Sequence, residues 1–211
     1  MQLKLSQKWF HIALFIALSG SLIYRRFDLP TQQPVVVIAQ NGSEKMIGTT
    51  VKRGEKLETK AEEFLLLRFG ENDFVALDER STIELQALTE KKYVLKFTRG
   101  RLFIKSLNET PFVVKTKKTE TVISQTIATL INYDFQQLIS VVPLRGSVRT
   151  YLNETNEEKL ISQPTTIHET IPVTITPTTF DPTRGTSAPF YKWLESFPSL
   201  LATPPSPLSP H

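Results

Sequence analysis

The sequence has no cysteine. Disulfides, thiolate nucleophiles, zinc–cysteine sites and lipid attachment through cysteine are all excluded by that absence. An exported chain without disulfides must be held by its core alone, which favours a substantial β core over a small stapled scaffold. Histidine is scarce as well: His11, His168 and His211 are the only three, and no pair has metal-ligand spacing. Glycine is sparse, eight residues against fourteen prolines, and no G-x-S-x-G, P-loop or dinucleotide-type glycine run occurs. The acidic pairs Asp78-Glu79 and Glu157-Glu158 are adjacent in sequence. Neighbours in a strand face opposite ways, so these pairs read as solvated surface and not as a carboxylate dyad. The expectation is a protein that is not an enzyme, with no catalytic residue, no cofactor-binding residue, no cofactor and no metal ligand.

What is present is ordinary in amount and unusual in arrangement. A chain of 211 residues, 40% apolar and 22% charged, suffices for one domain with flanking segments. The net charge of +4 is mildly basic, but Lys52, Arg53, Glu55, Lys56, Glu58, Lys60, Glu62 and Glu63 mix their signs within one segment. Nucleic-acid modules concentrate cations on one face. A mixed, solvated surface fits better here, and no nucleic-acid partner is expected. Three N-x-[ST] sequons, at Asn41, Asn108 and Asn153, are accounted for by the high Thr and Ser content.

Residues 1–8 form a short basic start, expected on the cytoplasmic side. Residues 9–27 contain the run WFHIALFIALSGSLIY, with Lys4 and Lys8 before it and Arg25-Arg26 after it. A signal peptide would have a basic start, a shorter apolar centre and small residues before a cut, which Ala17-Leu18-Ser19 or Ser19-Gly20-Ser21 could supply. A transmembrane anchor would carry the apolar run on through Leu22-Ile23-Tyr24, as this chain does, and the anchor is the preferred reading. Lys and Arg are nearly balanced across the run, so charge alone leaves its orientation open. Residues 28–47 follow as a linker and first strand.

From Val35 onward, short apolar runs recur every eight to twelve residues or so, separated by turn chemistry. Predicted strands are Val35–Ala39, Phe64–Phe69, Phe74–Leu77, Thr82–Leu88, Tyr93–Phe97, Leu102–Lys105, Phe112–Thr116, Thr121–Ser124, Ala128–Tyr133, Leu138–Val142 and Ser147–Leu152. Period-2 alternation, as at Ile83, Leu85 and Ala87, sends one face to a core and the other to water. No window has a clean 3.6 period, so no long helix is expected beyond the anchor. The fold class is all-β, a stacked, solenoid-like or sandwich domain. Residues 164–211 are expected to be a mostly disordered Pro/Thr-rich tail, although Lys159 to Ile161 and Ile171 to Ile175 could add strands. Within that tail the island FYKWLESF, Phe190 to Phe197, reads as a patch docked on the core, as a partner-binding segment or as an inert apolar piece of tail.

Two Arg-Gly corners punctuate the strands, TRGRLFI at Arg99-Gly100 and LRGSVRT at Arg145-Gly146. With Ser81, Thr82, Ile83 and Leu85, the unit YVLKFTRGRLFIKS, the step at Phe112, Val114 and Thr116, and the closing SVVPLRGSVRTYL, residues 48–163 resemble the FecR-like periplasmic domain. Gln125-Thr126 stands where that family usually has Gly-Thr. Regulators of this family also carry a cytoplasmic helical region that holds a sigma factor, and eight residues before the anchor are too few for one. The resemblance therefore implies the outer domain without sigma-factor control. It further implies stacked sheets and a place outside the cytoplasmic membrane, which settles the orientation of a single-pass anchor. The partner expected is a protein or cell-envelope polymer, with the membrane engaged through the N-terminal helix. The alternative function is a structural surface or adhesin-like spacer whose tail projects outward.

Overall fold

The computed structural model describes residues 33–42, 45–133, 138–170, 172–197 and 200. The expected anchor at 9–27 lies outside the described residues, as does the final Pro-rich stretch 201–211. Among the described residues no helix is long and apolar enough to cross a membrane.

The alternating apolar segments become strands, as their period demands. In chain order these are β1 (Val35–Asn41), β2 (Thr50–Val51), β3 (Lys56–Glu58), β4 (Phe64–Phe69), β5 (Asp73–Leu77), β6 (Thr82–Leu88), β7 (Tyr93–Lys105) and β8 (Phe112–Lys115). There follow β9 (Thr119–Ile123), β10 (Ile127–Tyr133), β11 (Leu138–Arg145), β12 (Val148–Leu152), β13 (Glu157–Ile161), β14 (Thr165–His168) and β15 (Thr174–Pro177). They form two layers. Sheet I runs β2-β1-β4-β5-β7-β10-β11-β14-β15, and sheet II runs β3-β6-β7-β8-β9-β12-β13. All pairings are antiparallel except β7 with β8. The sheets do not close into a barrel.

The inner faces meet in one apolar cluster. Sheet I contributes Val35, Leu65, Leu67, Phe69 and Val75, and sheet II contributes Leu57, Ile83, Leu85, Leu95 and Val114. At its centre the rings of Phe69, Tyr93 and Phe112 pack with centroids 5.0–5.1 Å apart. Burying one such ring contributes about 1.5–3 kcal/mol, so these side chains dominate the attraction between layers.

β7 belongs to both sheets. Its first half pairs with β6 and β8 in sheet II, and its second half pairs with β5 and β10 in sheet I. The sequence reading had two strands here, with the first Arg-Gly corner between them. The structure instead has one strand that bends, because Gly100 adopts φ 98° without interrupting the pairing on either side. The second corner is a true break: Gly146, φ 79°, lies between β11 in sheet I and β12 in sheet II.

Each glycine faces another point where the chain changes layer. A Cβ on Gly100 would lie 2.4 Å from the Cα of Ser81, and one on Gly146 would lie 2.3 Å from the Thr126 hydroxyl. Ser81 follows Arg80, φ 53°, and Thr126 follows Gln125, φ 51°. Both hydroxyls tie the crossings together. Ser81 Oγ accepts from the Arg101 amide at 3.0 Å, and Thr126 Oγ1 donates to the Arg145 carbonyl. Gln125 thus takes the left-handed conformation that a glycine would hold in the expected Gly-Thr pair, and the corner keeps its shape.

The expectation of a disordered tail from residue 164 does not hold over the described residues. β14 and β15 extend sheet I, and Ala188–Glu195 is a short helix, α1, entered through a 3-10 turn at Gly185–Ser187. Pro189 is tolerated in the first helical turn, where its missing N–H has no intrahelical partner to lose. Among the described residues Pro164, Pro177 and Pro189 fall at element ends, and the aromatic island supplies the apolar area that orders the segment.

Candidate interaction surface

The two layers are finished differently on their outer faces. On sheet I, Phe64, Leu66, Ala76, Phe103 and Ile127 form a second apolar cluster, covered by Phe190, Tyr191 and Leu194 of α1 and by Leu200. Phe190 and Trp193 pack on Phe64 at centroid distances of 5.6 and 5.4 Å. The island FYKWLESF is therefore a patch docked on the core.

A polar group lies beside this apolar contact. Asp78, 3% exposed, pairs with Arg101, and Tyr191 Oη of α1 donates to Thr129 Oγ1 at 2.9 Å. Asp78 was expected to be solvated with Glu79. The register that brings Arg101 beside the end of β5, twenty-three residues on, buries it instead. Burial pushes the Asp78 carboxyl up to about 6, against the pull of Arg101 and of the Glu79 amide. Burial likewise pushes the Tyr191 hydroxyl up to about 12. The folded-state value of Asp78 lies above the unfolded value of about 3.9, so the folded state holds its proton more tightly. Its contribution to stability is present below pH 4 and is lost as the pH rises through about 6. Urea titrations from pH 4 to pH 7 should show wild type losing about 2–3 kcal/mol more than Asp78→Asn over that interval. Parallel curves would refute this assignment.

The outer face of sheet II has no such cover among the described residues. Cross-strand register aligns Lys56, Glu84, Lys96, Lys115, Glu120, Tyr151 and Glu158 in one row from β3 to β13. Lys115 pairs with Glu120 at 3.0 Å, Lys96 approaches Glu84 at 3.9 Å, and the Glu158 carboxylate bonded to Tyr151 holds that phenol above its usual range. The next row is Val94, Val113, Val122, Arg149 and Leu160. Val94, Val113 and Val122 make a short apolar stripe, and Arg149 separates it from Leu160, which is 69% exposed.

Leu160 sits on β13, the free edge of sheet II. The other edge strands are poor templates for pairing: β2 has two residues, β3 three, and β15 ends in Pro177. β13 has five residues without proline, and the first four are exposed.

The sequence reading assigned no site residues, and the structure gathers no metal-ligating cluster among the described residues. His168 is in β14, while His11 and His211 lie outside the described residues. Arg99, within β7, donates to Glu58 at 2.6 Å, and Arg145, at the end of β11, is exposed. Asn108 donates to the buried Asp73 at 3.1 Å, a local structural role for one sequon. The bare face was missed because its rows join strands far apart in sequence, and only the register reveals them.

No curated protein matches this chain. Two crystal structures of a candidate anti-sigma factor from Parabacteroides distasonis ATCC 8503 have the same fold, each with a TM-score of 0.52 and 15% identity. The alignment covers 66% of this chain and 64% of that one, so the chain spans less than two thirds of the solved protein it matches. The model of the FecR protein family matches residues 55–149, from β3's approach to the middle of β12. That segment holds both layer-crossing glycines, the shared strand and most of the bare face, and it is the part of the chain that matches the FecR protein family.

Proposed function

We propose that this chain is a membrane-anchored, extracytoplasmic signalling module that binds an envelope protein through the bare face and free edge of sheet II, without catalysing a reaction. The observation that carries the reading is β13: a regular, proline-free edge whose backbone groups await a partner, with the apolar side chain of Leu160 exposed on it. An added strand would gain main-chain hydrogen bonds from the edge and specificity from alternate side chains. The FecR family and its role in signalling support a protein partner. The spacer reading is weakened, because β14 and β15 extend sheet I and α1 packs on its outer face.

The test is a photo-crosslinking residue placed singly in the full chain in intact cells. Leu160 and Arg149 on sheet II should give a discrete adduct of one mass, and exposed Arg68 on sheet I should not. Adducts from Arg68 alone would sink the proposed face. Protease accessibility in spheroplasts checks the location separately, and a domain protected until lysis would overturn the extracytoplasmic assignment.

A further inference from the structure

A cavity of about 180 Å³ opens beside the ends of β10 and β14. Its lining includes Thr98, Thr116, Asn132 and Glu169, with Lys96 and Lys117 also bordering it. Glu169 is 4% exposed and Asn132 6% exposed, so the solvent these two side chains meet is confined.

Counting donors and acceptors fixes the character of the cavity. The Asn132 amide donates both its hydrogens, to the Phe97 carbonyl at 3.1 Å and the Thr98 carbonyl at 2.9 Å. Carbonyls only accept, so the amide nitrogen must face them, and Oδ1 is left as an acceptor. The Thr116 hydroxyl has one hydrogen. It donates to Glu169 Oε1 at 2.7 Å and accepts from the Thr119 amide at 3.1 Å. Among the described residues nothing donates to Glu169 Oε2 or to Asn132 Oδ1, and neither atom is sealed from solvent. The buried part of the cavity therefore offers acceptors, one of them on a carboxylate, while the hydrogens of Asn132 and Thr116 are already used. The lysines belong to the outside: Lys117 is exposed, and the Lys96 side chain is 55% exposed and lies 3.9 Å from Glu84.

We propose that this cavity is a binding site for an organic cation, an alkylammonium or guanidinium group, held by the Glu169 carboxylate and the Asn132 amide oxygen. Confined solvent reaches the Glu169 oxygen, and a charge-assisted hydrogen bond from an ammonium or guanidinium is stronger than one from that water. The group could arrive on a free amine or on a Lys or Arg side chain of a partner. The inference does not depend on how sheet II is used.

The test titrates the full chain with n-butylammonium, agmatine and butyrate, followed by amide chemical shifts of Thr116, Asn132 and Glu169. The two cations should bind and butyrate should not. Glu169→Gln preserves the shape and the bond from Thr116, and should weaken cation binding at least about tenfold. Lys117→Met removes a competing charge and should tighten it. A blocked Gly-Lys-Gly peptide binding more tightly than n-butylammonium would indicate a partner's side chain as the source, and the reverse order a free amine. Butyrate binding, weakened by Lys117→Met, would overturn the proposal, as would cation binding that Glu169→Gln leaves unchanged. If Glu169→Gln does not fold, Glu169→Asp serves instead: it keeps the charge but draws it back by one methylene and should weaken cation binding, and unchanged binding would equally overturn the idea.

Discussion

Gly100→Ala is expected to destabilise the domain by about 4 kcal/mol, enough to remove much of the 5–15 kcal/mol that holds a typical domain folded. Two costs add. A side chain at φ 98° strains the backbone by about 1–3 kcal/mol. The new methyl would also sit 2.4 Å from Ser81 Cα and 2.7 Å from Ser81 Cβ, atoms that cannot swing away, and such overpacking costs about 1–3 kcal/mol. Gly54→Ala is the internal control. Its φ is 82°, but nothing lies within 4 Å of the added methyl, so only the conformational cost of about 1 kcal/mol applies. Urea midpoints of the two variants decide the matter: equal midpoints would mean that close approach at the bend contributes nothing. Gly146→Ala should fall between them, because its methyl meets mainly the Thr126 hydroxyl, which can rotate.

The second large effect concerns α1. Phe190 is fully buried and touches Phe64, Tyr191 and Trp193 through its ring. Phe190→Ala removes that ring from a filled site, a change that costs about 3–5 kcal/mol in well-packed cores. An eight-residue helix has little stability of its own, so a loss of this size detaches it. The strands of sheet I keep their inner core and should persist. The expected result is a folded β domain with rapid amide exchange across 188–195, new protease cuts near Arg184 and Lys192, and self-association through the uncovered Phe64, Leu66 and Phe103. Lys192→Ala, at an exposed position, should do none of this. If Phe190→Ala instead unfolded both sheets in a single step, the helix would be integral to the core and not a cover upon it.

Most of the strands were legible because one physical signal, period-2 burial, is local. Thr82–Leu88 and Phe64–Phe69 have the same bounds in sequence and structure. Errors arose where a local signal carried two meanings. Gly100 read as a stop, since glycine both ends strands and permits bends, and the pairing that distinguishes these comes from β5, β6 and β10. β2 and β3 are too short to display any period. The prolines after residue 164 suggested disorder, while the four aromatics of Phe190 to Phe197 carried the contrary signal of a buried patch. Asp78 read as solvated because its partner Arg101 becomes a neighbour only through register. The cavity at Glu169 was illegible for the same reason, as its walls come from four separated segments.

β7 has a consequence for how the domain comes apart. Thirteen residues of one strand are stitched into both layers, with no loop between the halves to absorb slack. Peeling either layer open strips the shared strand of its bonds on that side and frees the half that anchors the other. The layers therefore melt as one cooperative unit, and a load applied along one sheet is borne by both.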